Sequence, residues 1–477
     1  MLGAAARPPA STGDCRIPAR AAPLHTPRGF PGSPPPFPVR PVWLLPFLSH
    51  VSRFVVRAFY RLEVDGDAVP RTGPVLLVAN HPNSLVDPAM VGAVAGRPVR
   101  FLAKAPLFSD AQVGWLVRGS GSIPVFRRAD DPAEVGRNED SFAAVHEALA
   151  GGSAVGIFPE GISHSQPSLA PLKTGAARMA LGGAALIGHA FPIVPIGLTF
   201  RRKERFRSEA LAVVGEPVAW DDLAGRGGDH GAARELTARI DAELRRVTLN
   251  LERWEDQPMV ETAEAVYAAE LGADPSPAAR VQRLAATTEA LARLRRDEHA
   301  AWEEVAGDVR AHARTLAVLR MTPGELKSAP DAREAARWVA RQANVLRLLL
   351  PAALVGIVLY WIPYRLTGFA EARARPSDDI RATYKTLVGG VLLLIWTAML
   401  AGVAGWMWGW TAGIAAVVLL PLLACATLWS VESWNHASGE ARRFLLRARR
   451  AEAIDDLRSR QRALAQRLAE LWERVRV

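Results

Sequence analysis

Cysteine is scarce in this 477-residue chain: Cys15 and Cys425 are the two, far apart and in unlike surroundings. That excludes a disulfide framework and a cysteine-based zinc site. The ten histidines do not cluster, so no metal is expected. Lysine is nearly missing, with Lys104, Lys173, Lys203, Lys327 and Lys385 alone, and arginine carries the basic charge. Residues 1–40 lack any apolar run and are rich in Pro, Ala, Gly and Arg ("PGSPPPFPVRP"). They are expected to be disordered, with no secretory leader. Charge itself is missing from 387 to 431, a stretch of 45 residues.

What is present follows from these gaps. An uncharged run of that length holds two membrane-spanning helices of about 20 residues each. "GWMWGWTAG" lies at its middle, with glycines suited to a turn and Trp406, Trp408 and Trp410 suited to an interface. Arg381 and Lys385 precede the run and Arg442, Arg443 and Arg447 follow it. Basic flanks place both ends in the cytoplasm, so a transmembrane hairpin is expected at 387–431. A shorter apolar run, 346–366, contains Pro351 and Pro363 and is expected to be re-entrant or interfacial. The segment 41–70 contains "VWLLPFLSHVSRFVVRAFY", with Arg53 and Arg57 embedded. Two readings stand for it: an amphipathic helix lying in the membrane interface, or an ordinary helix packed on the domain. Residues 432–477 read as an amphipathic helix whose stripe Ile454, Leu457, Leu464, Leu468 and Leu471 docks on another helix of the chain.

The net charge is +10, which points to an anionic partner. The basic residues are spread widely and no recognition motif accompanies them, so nucleic acid is not that partner. Within 71–255, short β-branched runs at 75–80, 99–104, 122–127, 153–158, 193–200 and 211–215 alternate with helical patterns at 88–96, 138–150 and 174–188. That alternation predicts an α/β domain with a covered, largely parallel sheet. From about 230 to 345 the text is helical throughout, and 256–345 reads as a helical connector.

One stretch carries chemistry. "LLVANHPNSLVDPAM" ends a strand at His81 and begins a helix near Asp87, with Asp87 suited to cap it and Pro88 to open it. Capping alone explains the aspartate. If the intervening turn folds back, Asp87 instead orients one ring nitrogen of His81 and leaves the other as a base. Further blocks end strands in the same domain. "GSIPVFRR" offers Arg127, a planar fork for phosphate. "IFPEGISHS" offers Glu160, Gly161 and Ser163 in a turn that lets backbone N–H groups approach an anion. Lys173 stands before the next helix.

In order, "NHPNSLVDP", "GSIPVFR", "FPEGISHS" and "VPIGLTF" resemble the four blocks of the phospholipid/glycerol acyltransferase family, over about 71–218. "LKTGAARMA" is also in that style. Two departures stand out. Five residues separate His81 from Asp87 where four are usual, and Ile162 and Ser163 stand where Thr and Arg are common. Both are similar to the glycerol-3-phosphate/dihydroxyacetone-phosphate acyltransferase branch, which also has a hydrophobic C-terminal region. The resemblance implies a glycerol-3-phosphate acyltransferase-like sheet flanked by helices, then a helical region and the transmembrane hairpin. It implies acyl transfer from acyl-CoA or acyl carrier protein to a glycerol phosphate acceptor, with no cofactor beyond that co-substrate. His81 and Asp87 would be catalytic. Arg127, Glu160, Gly161, Ser163 and Lys173 would bind substrate. With the family arginine missing, Arg127, Lys173, His164 or the basic run 201–207 must supply the charge, and that run is equally a solvated loop. The setting implied is the cytoplasmic (inner) membrane, the catalytic domain facing the cytoplasm. A lysophosphatidate acyltransferase and a non-catalytic lipid-binding scaffold are the alternatives.

Overall fold

The computed structural model describes residues 44–476 apart from 112–113, 128–129, 328–331 and 450. The stretch 1–40, expected to be disordered, lies outside the described residues. Helix α1 (Leu45–Phe59) runs directly into β1 (Tyr60–Gly66). There follow β2 (Val75–Ala79), α2 (Val86–Ala95), β3 (Val99–Lys104), the short α3 (Pro106–Ser109) and α4 (Gly114–Gly119), and β4 (Ile123–Val125). Next come α5 (Asn138–Ala150), β5 (Ala154–Ile157), α6 (Gly175–Ile187), β6 (Ile193–Phe200), β7 (Ser208–Val214) and α7 (His230–Arg246).

The seven strands form one sheet in the order β1-β7-β6-β2-β5-β3-β4. Every pairing is parallel except β6 with β7. Strands β2 to β6 therefore end at one edge, and β1 and β7 begin there. Burial follows the pleat. Leu76, Val78, Val155 and Ile193 face a core shared with α5, α6 and α7. Val75, Leu77, Ala79, Val194 and Ile196 face the opposite core with α1 and α2. All five residues of β2 are buried, as a strand covered on both faces must be. Each such side chain contributes about 1.5–3 kcal/mol by leaving water. Helix α2 follows β2 on one face and α6 follows β5 on the other. The connections diverge between these neighbouring strands, which opens a crevice at their carboxyl ends.

The sequence reading starts the sheet at 71 and gives 41–70 to a helix, interfacial or packed on the domain; the structure starts the sheet at Tyr60. Among the described residues strand β1 pairs only with β7, from Tyr60 opposite Ser208 to Gly66 opposite Val214. As an edge strand it keeps Arg61 and Glu63 exposed, which blunts the edge and hides the alternating apolar pattern. In α1, Val56 and Phe59 join the core while Phe47 and Phe54 stay exposed.

Beyond the sheet lie α8 (Gln257–Leu271), α9 (Pro277–Asp297), α10 (His299–Leu319), α11 (Pro323–Lys327), α12 (Ala332–Ala374), α13 (Arg381–Trp408), α14 (Trp410–Arg449) and α15 (Ala451–Arg476). The stripe on α15 is buried: Leu464, Leu468 and Leu471 pack with α8, α9 and α10, and Ile454 and Leu457 with Leu316, Met321 and Leu326. Gln461 sits in the same seam. His312 Nε2 lies 3.1 Å from its Oε1, and its amide donates to Glu270 Oε1 at 2.7 Å.

Among the described residues three helices are long and apolar enough to cross a membrane: Ala353–Ala374, Arg381–Trp408 and Trp410–Gly439. The last two meet at Gly409, whose φ of 91° suits a residue without Cβ. The first covers most of the segment expected to be re-entrant or interfacial at 346–366; the re-entrant half of that reading is corrected, because α12 runs through Pro351 and Pro363 without reversing. A proline removes one helical bond and kinks a helix, yet packing holds this one together. Tyr360 donates to the Leu420 carbonyl at 2.8 Å and Trp396 Nε1 to the Leu359 carbonyl at 2.8 Å.

Candidate active site

The site is built where β2 ends. Asn80 closes the strand, its side chain donating to Leu198 O at 2.9 Å and accepting from Leu198 N at 2.7 Å. That reciprocal pair extends the β2–β6 ladder by one side chain and fixes the next residue, His81. The chain then turns back through Ser84, which has a left-handed φ of 46° and donates its N–H to Ser163 Oγ at 3.0 Å.

The turn brings Asp87 to His81. His81 Nδ1 lies 2.8 Å from Asp87 Oδ2, and the Asn83 N–H donates to that same oxygen at 2.7 Å. Asp87 is fully buried, while the His81 side chain keeps 19% of its exposure. The capping expectation is corrected. Asp87 lies inside α2, after Leu85 at the N-cap and Val86, and its carboxylate turns back to the loop. Burial pushes the Asp87 carboxyl above its ordinary range; the bonds from His81 and Asn83 and the charge of Lys203 oppose that rise. The imidazole stacks on Phe158, centroids 4.1 Å apart and planes 14° apart. One nitrogen is held by a carboxylate and the ring by an aromatic face. Nε2 has no partner among the described residues.

Glu160 locks the adjoining loop. Its carboxylate accepts from His81 N at 2.9 Å, from Ala170 N at 2.8 Å and from His164 Nε2. His164 N–H in turn donates to His81 O at 3.1 Å. Glu160 is nearly fully buried and accepts from three donors, one of them the His81 backbone, while it also lines the cavity. Gly161 takes a left-handed φ of 71°, and the Lys173 side chain lies over it: a Cβ at Gly161 would sit 2.6 Å from Lys173 Nζ. The two residues meet each other but do not line the cavity.

That cavity, about 570 Å³, is lined by Asn80, His81, Glu160, His164, the 165–169 loop, Phe200 to Glu204, Trp254, Asp378 and Arg381. Arg127 is not among its walls. It follows β4, three strand positions from β2, roughly 14 Å at about 4.8 Å per step. Its guanidinium grips Asp130 twice, at 2.7 and 2.9 Å. Arg201, Arg202 and Lys203 at the cavity come instead from the neighbour of β2 on its other side, through the loop after β6, and Arg381 comes from the start of α13. Among the described residues no group of three or more His, Cys, Asp or Glu is placed to hold a metal ion.

Several residues of the site were not singled out in the sequence. Tyr60, at the start of β1, accepts from Asn83 Nδ2 at 3.0 Å and donates to Lys203 O. Burial pushes its phenol upward. Asn80 and Asn83 lay within the quoted motif without a role, and Lys203 lay within the basic run. Tyr60 gave no signal, because its strand was not read.

Residues 61–199 match the family model described as Acyltransferase. Over 134 residues the chain is 35% identical to glycerol-3-phosphate O-acyltransferase 2 of Saccharomyces cerevisiae, covering 27% of this chain and 18% of that one. Over 131 residues it is 34% identical to glycerol-3-phosphate O-acyltransferase 1 of the same yeast, covering 26% and 17%. The chain thus spans less than a fifth of the length of these relatives. The crystal structure of the 1-acyl-sn-glycerophosphate acyltransferase from Thermotoga maritima aligns with 43% of this chain and 78% of its own, at 19% identity and a TM-score of 0.33. Residues 61–199 thus carry an acyltransferase domain, and the family match and both yeast relatives agree in supporting the phospholipid/glycerol acyltransferase family for it.

Proposed function

We propose that this protein transfers a fatty acyl group from a thioester, acyl-CoA or acyl carrier protein, to a hydroxyl of glycerol 3-phosphate or dihydroxyacetone phosphate. The observation that carries this reading is the buried Asp87 carboxylate 2.8 Å from Nδ1 of a cavity-lining His81. An ionised carboxylate accepts only, so Nδ1 carries the proton and Nε2 is the free base. Nε2 takes the proton of the acceptor hydroxyl as its oxygen attacks the thioester carbonyl carbon. The tetrahedral intermediate collapses with cleavage of the C–S bond. The leaving thiolate recovers the proton from His81, and ester and free thiol result. Asp87 stabilises the imidazolium in between. General base catalysis of this kind contributes about 10²–10⁴ in rate. A thioester is already activated, so the residues described need supply no covalent nucleophile.

Three apolar helices associate the chain with a membrane, and the arginines and lysine flanking 387–431 favour a cytoplasmic-membrane location with the catalytic domain in the cytoplasm. The test is an acyl-transfer assay on purified membranes with each acceptor in turn, for the parent and His81→Ala. Transfer to glycerol 3-phosphate or dihydroxyacetone phosphate that the substitution abolishes is the expected result. Transfer confined to lysophospholipids rejects the acceptor assignment, and transfer that survives His81→Ala rejects the mechanism.

A further inference from the structure

Four basic side chains reach the cavity: Arg201, Arg202, Lys203 and Arg381. Two are already neutralised. Arg201 pairs with Glu209 at 3.0 Å, and Arg381 with Asp378 at 3.1 Å and Glu371 at 3.4 Å. Arg202 is exposed at the loop surface. Lys203 differs from all three. It is partly buried, and it makes no ion pair among the described residues; Asp87, Asp378, Asp379 and Glu204 act on it only through space. Burial accordingly lowers its pKa. A desolvated ammonium without a bonded carboxylate costs stability, and it persists here in a cavity wall.

Its position is fixed from both ends. Nζ donates to Pro82 O, one residue after His81, at 3.1 Å, and to Ser165 Oγ. The Lys203 carbonyl accepts from Tyr60, which accepts from Asn83, whose N–H donates to Asp87. The loop that carries Lys203 is also tied to the membrane helices. Lys385 Nζ donates to Glu204 O at 3.0 Å, and Arg207 binds Glu432 through two bonds of 2.6 and 2.7 Å. An ammonium has three N–H donors, and two are accounted for.

We propose that Lys203 is the anchor for a substrate phosphate in this protein, its third N–H serving the anion beside His81, which singles out one member of the basic run 201–207 that the sequence offered beside Arg127, Lys173 and His164. This rests on the acyl-transfer reading, since the phosphate belongs either to the glycerol phosphate acceptor or to the CoA of the donor.

The experiment separates binding from turnover. Calorimetric titration of the full chain in detergent uses glycerol 3-phosphate, and in a second arm non-hydrolysable acyl-CoA, against the parent, Lys203→Met, Lys203→Arg and His81→Ala. One charge-assisted hydrogen bond corresponds to a weakening of about 10- to 100-fold. The expected result is that loss in Lys203→Met, partial recovery in Lys203→Arg, and retained binding in His81→Ala. A loss confined to glycerol 3-phosphate assigns the acceptor phosphate, and one confined to acyl-CoA assigns the donor. Thermal unfolding of each variant guards against a collapsed loop; if Lys203→Met unfolds early, the Lys203→Arg titration decides, with affinity near the parent's supporting the proposal. Equal affinity of Lys203→Met and the parent for both ligands overturns it, as does a parent that binds neither. Retained phosphate binding without transfer by the parent overturns the acyl-transfer reading and leaves the anchor standing.

Discussion

Glu160→Gln is the perturbation that separates a loop latch from a substrate contact. The carboxylate uses Oε1 for the His81 N–H and Oε2 for the Ala170 N–H and the His164 ring. The His164 tautomer is set by its other nitrogen, because Gln166 N–H donates to Nδ1 at 3.2 Å, so Nε2 is the donor. An amide can keep the Oε2 side with its oxygen. Its NH₂ then faces the His81 N–H, donor against donor, in a nearly dry site. Losing one charge-assisted bond costs about 1.5–3 kcal/mol, and leaving a buried donor unsatisfied costs about 1–3 more. A destabilisation of roughly 2.5–6 kcal/mol follows, with the His81 backbone released. Misplacing a catalytic group by about 1 Å costs on the order of 10²-fold in rate. Steady-state kinetics with thermal unfolding of the purified variant should show a fall in kcat, a lowered Tm and a nearly unchanged acceptor KM. An unchanged Tm with a raised KM at constant kcat would refute the latch and restore Glu160 as a ligand for substrate.

Three further outcomes are expected. Asp87→Asn should lower kcat by about 10²–10⁴ while changing stability with a defined sign. Burial raises the native pKa above its ordinary 3.8, so the native state holds that proton more firmly than the unfolded chain. The resulting stability is present below the ordinary value and is lost as pH rises through the native one. Asparagine has no such loss, so the variant gains on the parent across that interval; parallel stability–pH curves would contradict the assignment. Arg127→Ala should change KM for either substrate by less than about threefold and stability by about 0–1 kcal/mol, since its ion pair with Asp130 is partly exposed; kinetics and a denaturant titration check both. Gln461→Ala removes the amide between His312 and Glu270 and should cost about 1–3 kcal/mol, read as earlier urea unfolding; no shift would mean that α15 does not depend on that seam.

Much of the fold was legible because covered strands advertise themselves. Residues 193–200 and 138–150 carry the same bounds in the text and in the structure, since a run of buried apolar residues or a helical period needs no tertiary partner to be read. Strand β1 was hidden because an edge strand shows charge where a central one shows valine. Strand order was hidden for a different reason. Arg127, Glu160 and His81 all follow strands that end at one edge, but only the pairing of β2 with β5 and β6, and of β4 with β3 alone, tells which of them are neighbours. The His81–Asp87 contact depends on the left-handed Ser84 turn, which no residue type in "HPNSLVD" demands. Proline inside α12 looked like an interruption in the text, whereas neighbouring helices hold it straight enough to continue.

Arg381 has two positions at once: it walls the cavity and begins an apolar helix. Uncharged sequence starts at Leu387, about 9 Å further along at 1.5 Å per residue. That is shorter than the alkyl portion of an ordinary fatty acid. On the proposed acyl-transfer reading, a tail esterified at this spot would already overlap the hydrocarbon zone, and release would become sideways slippage within the leaflet.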